Sequence, residues 1–396
     1  MMTVLYCATV CSLRTLGNMS RKIGYPLTSI TVQKFHRLIL SGLQMNGVEI
    51  ETASSIPYTG RLLNKEVDDE ENGVKYHYLR TINIPVIRHC CIIIGTFLRV
   101  LRWHSRQKKQ DVVICDALNI SVCLGALLCR LRHVKVVGIM TDMPGLMVGG
   151  RVGMLGWIIR TINLFVLRQF DAYIFLTEAM NTKINKYDRP YIIMEGLVDI
   201  NMQTAERHPD PVVRNIIYAG GIYEKYGVKM LIDAFRRINN PNLRLTIYGR
   251  GPMACDMAQY EKLDSRFHYV GVRPNDEIVE AELRAALLVN PRPSHEEFAK
   301  YSFPSKNMEY MVSGTPVLTT ALPGMPQEYY DKLYICSEET VAGFASKIAE
   351  IMNYTDEELS SMGAKAKEFM LKYKNNRVQA CRIIELVNNR IVSEIS

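Results

Sequence analysis

Residues 215–252 read NIIYAGGIYEKYGVKMLIDAFRRINNPNLRLTIYGRGP, and the order of patterns inside them decides the fold class. The run NIIYA is short, apolar and β-branched, as a strand covered on both faces must be. VKMLIDAFRRI repeats its apolar residues at helical spacing, and LRLTIYG is strand-like again. This is a βαβ unit. Downstream the alternation continues: a short helix near 253–260, a strand at 267–270, a helix at 275–285, a strand at 286–290, a helix from Ser305 and a strand at 316–319. Strands alternating with short helices imply a parallel sheet with helices on both faces.

Upstream the same grammar is looser, with strands expected at 3–8, 111–115, 135–140 and 172–176 and a helix at 31–45. The expectation is an α/β chain of two doubly wound, Rossmann-like domains, at 1–205 and 206–375. The polar, proline-bearing segment MQTAERHPDPVVR marks the break, within 199–214. A final helix over 376–396 would either pack back on the first domain or present a surface to a partner. A chain of 396 residues with 48% apolar and 22% charged residues can bury two such cores.

Charge is unevenly spread. Residues 1–200 carry 24 Lys and Arg against 15 Asp and Glu, whereas residues 201–396 carry 24 against 25. A basic first half attracts polyanions, but its cations are not interleaved with any base-stacking or groove-reading module, so nucleic acid is not the expected partner. Two basic-apolar stretches, 86–109 and 151–168, read either as domain helices with a solvated basic edge or as helices lying on anionic lipid. In the second reading Arg88, Arg99, Arg102, Arg106 and Lys108 meet headgroups while Ile93, Phe97, Val100 and Trp103 sink below them. No uncharged apolar run reaches the length of a spanning helix. The N-terminal MMTVLYCATVCSLRTLG fits a first buried strand better than a signal peptide. Ten cysteines without C-x-x-C or zinc-type spacing read as reduced, mostly buried thiols of a cytoplasmic protein.

In open α/β sheets ligands sit beyond the carboxyl ends of the strands, where helix N-termini present amides. Three segments qualify. After the first strand of the second domain come Gly220-Gly221 and then Glu224-Lys225-Tyr226-Gly227; after the second come Gly249-Arg250-Gly251-Pro252. Glycine lets a diphosphate approach the backbone, and Lys225 would add a full positive charge. The third segment is PRPSHEEFAKYSFPSKNMEYMVSGTPVLTT, 291–320. There Ser305 is expected to cap a helix, Lys306 to meet a phosphate and Glu309 to bind vicinal hydroxyls of a ribose. The plainer alternative makes Lys306 a solvated charge and Glu309 its partner one turn on.

The order and spacing of YAGGIYEKYGVKMLIDAF, LTIYGRGP and FPSKNMEYMVSGTPVL resemble the family-4 (group 1) retaining glycosyltransferases of GT-B fold, of the polysaccharide-biosynthesis type. FDAYIFLTEAM and MEGLVD extend the likeness into the first half. The resemblance implies two domains facing each other across a cleft, with a nucleoside-diphosphate sugar on the second. In the family's Glu-x7-Glu pattern, Glu309 matches the ribose-binding carboxylate, while Tyr301 stands where relatives place the Glu that contacts the transferred sugar. Lys225 matches the diphosphate lysine, Gly221 stands at the position of an arginine, and Lys306 would supply the second charge. Thr141-Asp142 replaces a histidine common in relatives, leaving Asp142 and Asp116 as candidate carboxylates on the acceptor side, each also readable as a turn-capping Asp.

The implied reaction moves a hexosyl-type sugar to a hydroxyl acceptor with retention, needing no protein nucleophile, no metal and no cofactor. The implied acceptor is a glycan or lipid-linked glycan in surface polysaccharide or glycolipid assembly, met at the inner face of the plasma membrane. Alternatives are a sugar-nucleotide-binding module without transfer and a GT-B sugar-nucleotide epimerase.

Overall fold

A computed structural model describes residues 2–23, 30–57, 62–64, 66–106, 111–143, 153–210 and 212–389. The chain divides into two compact units: residues 1–197 with 376–396, and residues 198–375.

Unit 1 opens with β1 (Thr3–Ala8), α1 (Leu13–Ile23), α2 (Ile30–Met45) and β2 (Glu49–Ser54). Four short strands follow, β3 (Leu63–Asn64), β4 (Asp69–Glu71), β5 (Val74–Tyr76) and β6 (Thr81–Ile82), then α3 (Pro85–His104), β7 (Asp111–Asp116) and α4 (Ile120–Leu127). It continues through β8 (Lys135–Met140), α5 (Met154–Leu167), β9 (Ala172–Phe175), α6 (Glu178–Ile184) and β10 (Tyr191–Ile193). Eight of these strands form one sheet in the order β10-β9-β8-β7-β1-β2-β5-β4, parallel except for the β4–β5 hairpin, while β3 and β6 pair separately. β1 is buried along its whole length because sheet neighbours and helices cover it on every side.

Unit 2 alternates strand and helix throughout: β11 (Arg214–Ala219), α7 (Val228–Arg236), β12 (Leu243–Tyr248), α8 (Met257–Leu263), β13 (Phe267–Gly271) and α9 (Asn275–Arg284). Then come β14 (Leu287–Asn290), α10 (Ser305–Ser313), β15 (Val317–Thr320), β16 (Tyr334–Cys336), α11 (Val341–Ile351) and α12 (Asp356–Tyr373). All six strands are parallel, in the order β13-β12-β11-β14-β15-β16. α7 buries Val228, Leu231, Ile232 and Phe235 on one stripe against that sheet, the spacing that identified it as a helix.

The last helix, α13 (Asn376–Val387), belongs to unit 1, where Ala380, Ile383, Leu386 and Val387 join the core formed by α2 and β1. The crossing into unit 2 falls at 197/198, ahead of 205/206. Residues 199–210 are held by unit 2's own backbone: the His208 amide donates to the Leu283 carbonyl and the Asp210 amide to the Arg284 carbonyl, so this polar stretch is docked rather than a free linker.

Two expectations about unit 1 are corrected by packing. On α3 the buried side is Ile92, Thr96, Val100 and Trp103, so Val100 and Trp103 face the core; the exposed apolar residues are Val86, Ile87, Ile94 and Leu98. Arg99 pairs with Glu51 and Arg88 donates to the Ile56 carbonyl, which commits both cations within the unit. Lys108 and Arg151 lie outside the described residues. Of the ten thiols, six are buried, Cys91 is half-buried, and Cys90, Cys255 and Cys381 are exposed.

Candidate active site

Strand order locates the candidate site. In unit 2 the connections from β11 run through β12 to β13 on one side, while β14, β15 and β16 extend on the other. The loops leaving β11 and β14 therefore diverge, and the crevice beyond their carboxyl ends is where such sheets bind ligands.

Three loops are knitted together there. The Gly220 amide donates to the Tyr248 carbonyl at 3.0 Å, the Ile222 amide to the Arg250 carbonyl at 2.9 Å and the Gly249 amide to the Gly271 carbonyl at 2.8 Å. The Tyr218 hydroxyl donates to the Gly221 carbonyl at 2.7 Å, and the Tyr269 hydroxyl to the Gly249 carbonyl at 3.0 Å. Gly249 adopts φ +130°, and a Cβ built on it would stand 1.8 Å from the Gly220 carbonyl oxygen, so no other residue fits. Gly227, in the left-handed region at φ +79°, starts α7; its Cβ would meet the Pro291 carbonyl oxygen at 2.0 Å. Thus the loop after β14 packs directly on the turn that carries Lys225. Lys225 itself is exposed, its Nζ 5.8 Å from the Tyr223 ring centre and 5.6 Å from that of Tyr226.

α10 begins at Ser305 with Pro304 in the N-cap position and no side-chain cap. The expected Ser cap is therefore corrected: Ser305 is the first helical residue and exposed, because proline already fixes the entry angle while supplying no acceptor. The helix is anchored from below. Tyr310 is fully buried, its hydroxyl 2.7 Å from the Ala219 amide, which donates to it, and 3.2 Å from the Ala219 carbonyl, to which it donates; burial pushes its phenol well above the usual range. Asn307, also fully buried, accepts from Asn290 Nδ2 at 2.6 Å and donates to Thr319 Oγ1 at 3.4 Å, tying α10 to β14 and β15.

Lys306 Nζ lies 2.7 Å from Glu309 Oε2. Burial works to lower the Lys306 ammonium's pKa, but Glu309 and Glu282 outweigh it and hold the group above its usual value. Of the plainer reading the structure has the pairing one turn apart, but Lys306 is half-buried rather than a solvated charge. Tyr301 closes the 3-10 turn Glu297–Tyr301 before the helix.

In unit 1 the corresponding divergence lies between β1 and β7. Asp116, at the end of β7, is buried; its Oδ2 stands 3.3 Å from His36 Nε2, its Oδ1 accepts from the Leu118 amide at 3.0 Å, and His36 Nδ1 is 2.8 Å from the Tyr6 hydroxyl. That corrects its reading as an open carboxylate: it caps its own turn and holds His36. Asp142 accepts from the adjacent Met143 amide at 2.7 Å. The rest of its loop, 144–152, lies outside the described residues. Sequence reasoning passed over His36 on α2, Asn307, and Arg292 on the loop after β14. Among the described residues no group of three or more His, Cys, Asp or Glu is arranged to hold a metal ion.

The family model described as glycosyl transferases group 1 matches residues 213–354. Among solved structures, sucrose-phosphate synthase from Thermosynechococcus elongatus aligns with a TM-score of 0.66 at 14% identity, covering 99% of this chain and 100% of that one. HepE from Anabaena in complex with UDP aligns at 0.65 and 12%, covering 98% and 100%. The lipopolysaccharide outer core galactosyltransferase WaaB, in its apo form, aligns at 0.62 and 13%, again covering 98% and 100%. At such identities the likeness is one of fold. No curated protein sequence matches the chain.

Proposed function

We propose, from a second unit whose residues 213–354 match the group 1 glycosyl transferase family model, that the chain moves a hexosyl-type sugar from a nucleoside diphosphate to a hydroxyl with retention. The observation that carries this reading is the set of strand-end loops around Gly220, Gly249 and Gly227, which leaves backbone, an uncapped helix start and Lys225 at the divergence of β11 and β14. The bond between the anomeric carbon and the diphosphate oxygen breaks while the acceptor oxygen bonds to that carbon on the same face. The acceptor's proton passes to the departing phosphate. Negative charge grows on that phosphate, so a lysine and helix amides aimed at it act mainly in the transition state. In this reading Glu309 holds the ribose once ligand draws it from Lys306, unit 1 takes the acceptor side, and the diphosphate is met by protein cations without a metal.

The acceptor in our reading is a glycan or lipid-linked glycan of surface polysaccharide or glycolipid assembly, reached from the cytoplasmic face of an anionic membrane. Structural relatives named for UDP binding and for a lipopolysaccharide galactosyltransferase are consistent with that choice. No helix among the described residues is long and apolar enough to cross a membrane. α5 instead offers an exposed apolar face, Met154, Trp157, Ile159, Ile162 and Phe165, with Arg160 as the one charge on the helix. Residues 85–168 hold only three acidic residues, Asp111, Asp116 and Asp142. An apolar face in a basic surround suits anionic lipid.

A thermal-shift panel of nucleoside diphosphates and nucleotide sugars tests the donor site, because a ligand that binds the folded state raises its melting temperature. One nucleotide class should raise it in the native protein and fail to do so in Glu309→Ala; turnover with an acceptor then separates transfer from mere binding or epimerisation. No shift at millimolar nucleotide would remove the donor-site reading. For the membrane, co-sedimentation with vesicles containing phosphatidylglycerol should drop in Trp157→Ser/Phe165→Ser, and unchanged pelleting would remove α5 from the account.

A further inference from the structure

We propose that Tyr310 is a positioning residue for the donor diphosphate: its hydroxyl stands in for the strand that β11 loses where it parts from β14, and so fixes the peptide that enters the Gly220-Gly221 turn. This rests on the donor-site reading above.

In a parallel sheet the N–H and C=O of one residue turn toward the same neighbouring strand, and successive residues turn to opposite neighbours. The Asn215 carbonyl accepts from the Ala286 amide at 2.8 Å, at the entry to β14, so Asn215, Ile217 and Ala219 turn their backbone groups to that side. Gly220 turns the other way, its amide donating to the Tyr248 carbonyl of β12 at 3.0 Å. The pairing of β11 with β12 runs on to Ala219 and Tyr248, but that of β11 with β14 ends at Ile217 and Leu288. Ala219 is 2% exposed, and a buried amide and carbonyl left without partners would carry a heavy penalty.

The Tyr310 hydroxyl serves both groups. It accepts from the Ala219 amide at 2.7 Å and donates to the Ala219 carbonyl at 3.2 Å. A hydroxyl can do this because it carries one proton and two lone pairs. Burial first, and Glu282 next, push the phenol well above its usual range, so the proton that serves the carbonyl stays in place. The other lip of the split is tied to the same helix. Asn307, one turn before Tyr310 on the buried side of α10, accepts from Asn290 Nδ2 at the end of β14 at 2.6 Å. α10 therefore holds β11 through Tyr310 and β14 through Asn307, at the level where the two strands no longer hold each other.

The peptide that the phenol fixes leads straight into the glycine turn, whose far end is held by the Tyr218 hydroxyl donating to the Gly221 carbonyl at 2.7 Å. Backbone amides bind an anion best when they are already in place, because ordering a mobile peptide subtracts from affinity. Removing the hydroxyl takes the β14-side partner from Ala219 but leaves the ring in its packing, and Asn307 still seats α10 with Glu309 on it. The loss should therefore fall on the diphosphate and spare the nucleoside.

The experiment is calorimetric titration of the full-length protein with uridine and UDP, adenosine and ADP, and guanosine and GDP, paired with hydrogen exchange at residues 219–221. In the native protein the diphosphate of one base should bind and the Ala219 amide should exchange slowly. Tyr310→Phe should lower that diphosphate affinity about tenfold, leave the nucleoside affinity within about twofold of native, and speed exchange at Ala219. Val312→Ala, which opens a small cavity on the same helix, should lower stability and leave both affinities near native. Equal loss of nucleoside and diphosphate in Tyr310→Phe, or the same diphosphate loss in Val312→Ala, would make Tyr310 a packing residue and overturn the assignment. Native diphosphate affinity in Tyr310→Phe would overturn it as well. Should Tyr310→Phe not fold, exchange in the native protein decides: an Ala219 amide slowed further by the diphosphate and not by the nucleoside supports the assignment, and one indifferent to the diphosphate overturns it. If the native protein binds none of these nucleotides, the donor-site reading fails and this assignment goes with it, an outcome distinct from diphosphate binding that ignores the substitution.

Discussion

The two units repeat one topological device and finish it differently. Where strand order diverges in unit 1, between β1 and β7, the loops carry side chains that satisfy one another: Thr9 Oγ1 and Ser55 Oγ are 2.7 Å apart, and Asn119 Nδ2 donates to both, at 3.0 and 2.9 Å. Beneath them Asp116, His36 and Tyr6 form a buried chain. Where it diverges in unit 2, between β11 and β14, glycine replaces those side chains, loops pair through backbone, and the cations Lys225 and Arg292 both lie near one ring, Tyr226. Topology supplies a crevice in both units. Side-chain chemistry decides whether it is filled from within or left lined by glycine, and only the glycine-lined one falls in the region matched by the group 1 glycosyl transferase family model.

Breaking the comparison at its strongest point means giving unit 2 a side chain where it has none. Gly249→Ala places a Cβ 1.8 Å from the Gly220 carbonyl oxygen at a backbone conformation alanine rarely adopts. The substitution should lower the stability of unit 2 by about 4 kcal/mol and abolish nucleotide-induced stabilisation, both read from denaturant and thermal unfolding. Native stability in this variant would mean that the β11 and β12 loops are not locked as described.

In unit 1 the matching test removes a side chain. His36→Phe takes the imidazole from between Asp116 and Tyr6 and leaves a buried carboxylate and phenol without that partner, a loss of about 3 kcal/mol in unfolding free energy. Any nucleotide-induced thermal shift should survive, because the chain lies under the filled crevice. Loss of nucleotide binding with stability unchanged would reverse the roles assigned to the two crevices.

Much of unit 2 was legible in the sequence because its strands are covered on both faces and read as unbroken apolar runs, NIIYA in β11 and LLVN in β14. β2, EIETAS, was not: its acidic residues Glu49 and Glu51 belong to a strand near the sheet margin, where Glu51 is needed by Arg99 and His77. His36 was invisible because a histidine inside an amphipathic helix carries no local sign that its partners come from β1 and β7. Arg292 escaped for a related reason. Its neighbours Pro291 and Pro293 mark a loop, but the rings that hold it, Tyr226 and Phe298, become its contacts only once β11 and β14 lie side by side. Ser305 shows the opposite error: Ser before an apolar run is a sound capping signal, and the proline one place earlier takes the position.

The smallest effect separates the units by pH. In unit 1, His77 hydrogen-bonds Glu51, the main cause of its raised pKa, with Asp68 adding to the rise and burial and Arg99 opposing it. Glu51 is lowered in turn, first by His77 and then, against its burial, by Arg99 and Lys75. A histidine raised above its ordinary 6.5 contributes stability that is complete below that pH and lost as pH climbs through the folded value. A glutamate lowered from 4.5 contributes stability that is present above that pH and lost as pH falls through the folded value. This cluster therefore supports unit 1 most fully between 4.5 and 6.5 and weakens above. Unit 2 has a similar pair in His208 and Glu280, but their side chains are 52% and 54% exposed, so water and salt screen it. Across pH 6 to 8.5, unfolding followed by hydrogen exchange should show the amides of β2 and β5 losing protection more than those of β11 and β14. His77→Gln should flatten that difference. An equal decline in both units, unaffected by His77→Gln, would assign the pH response to charges outside this cluster.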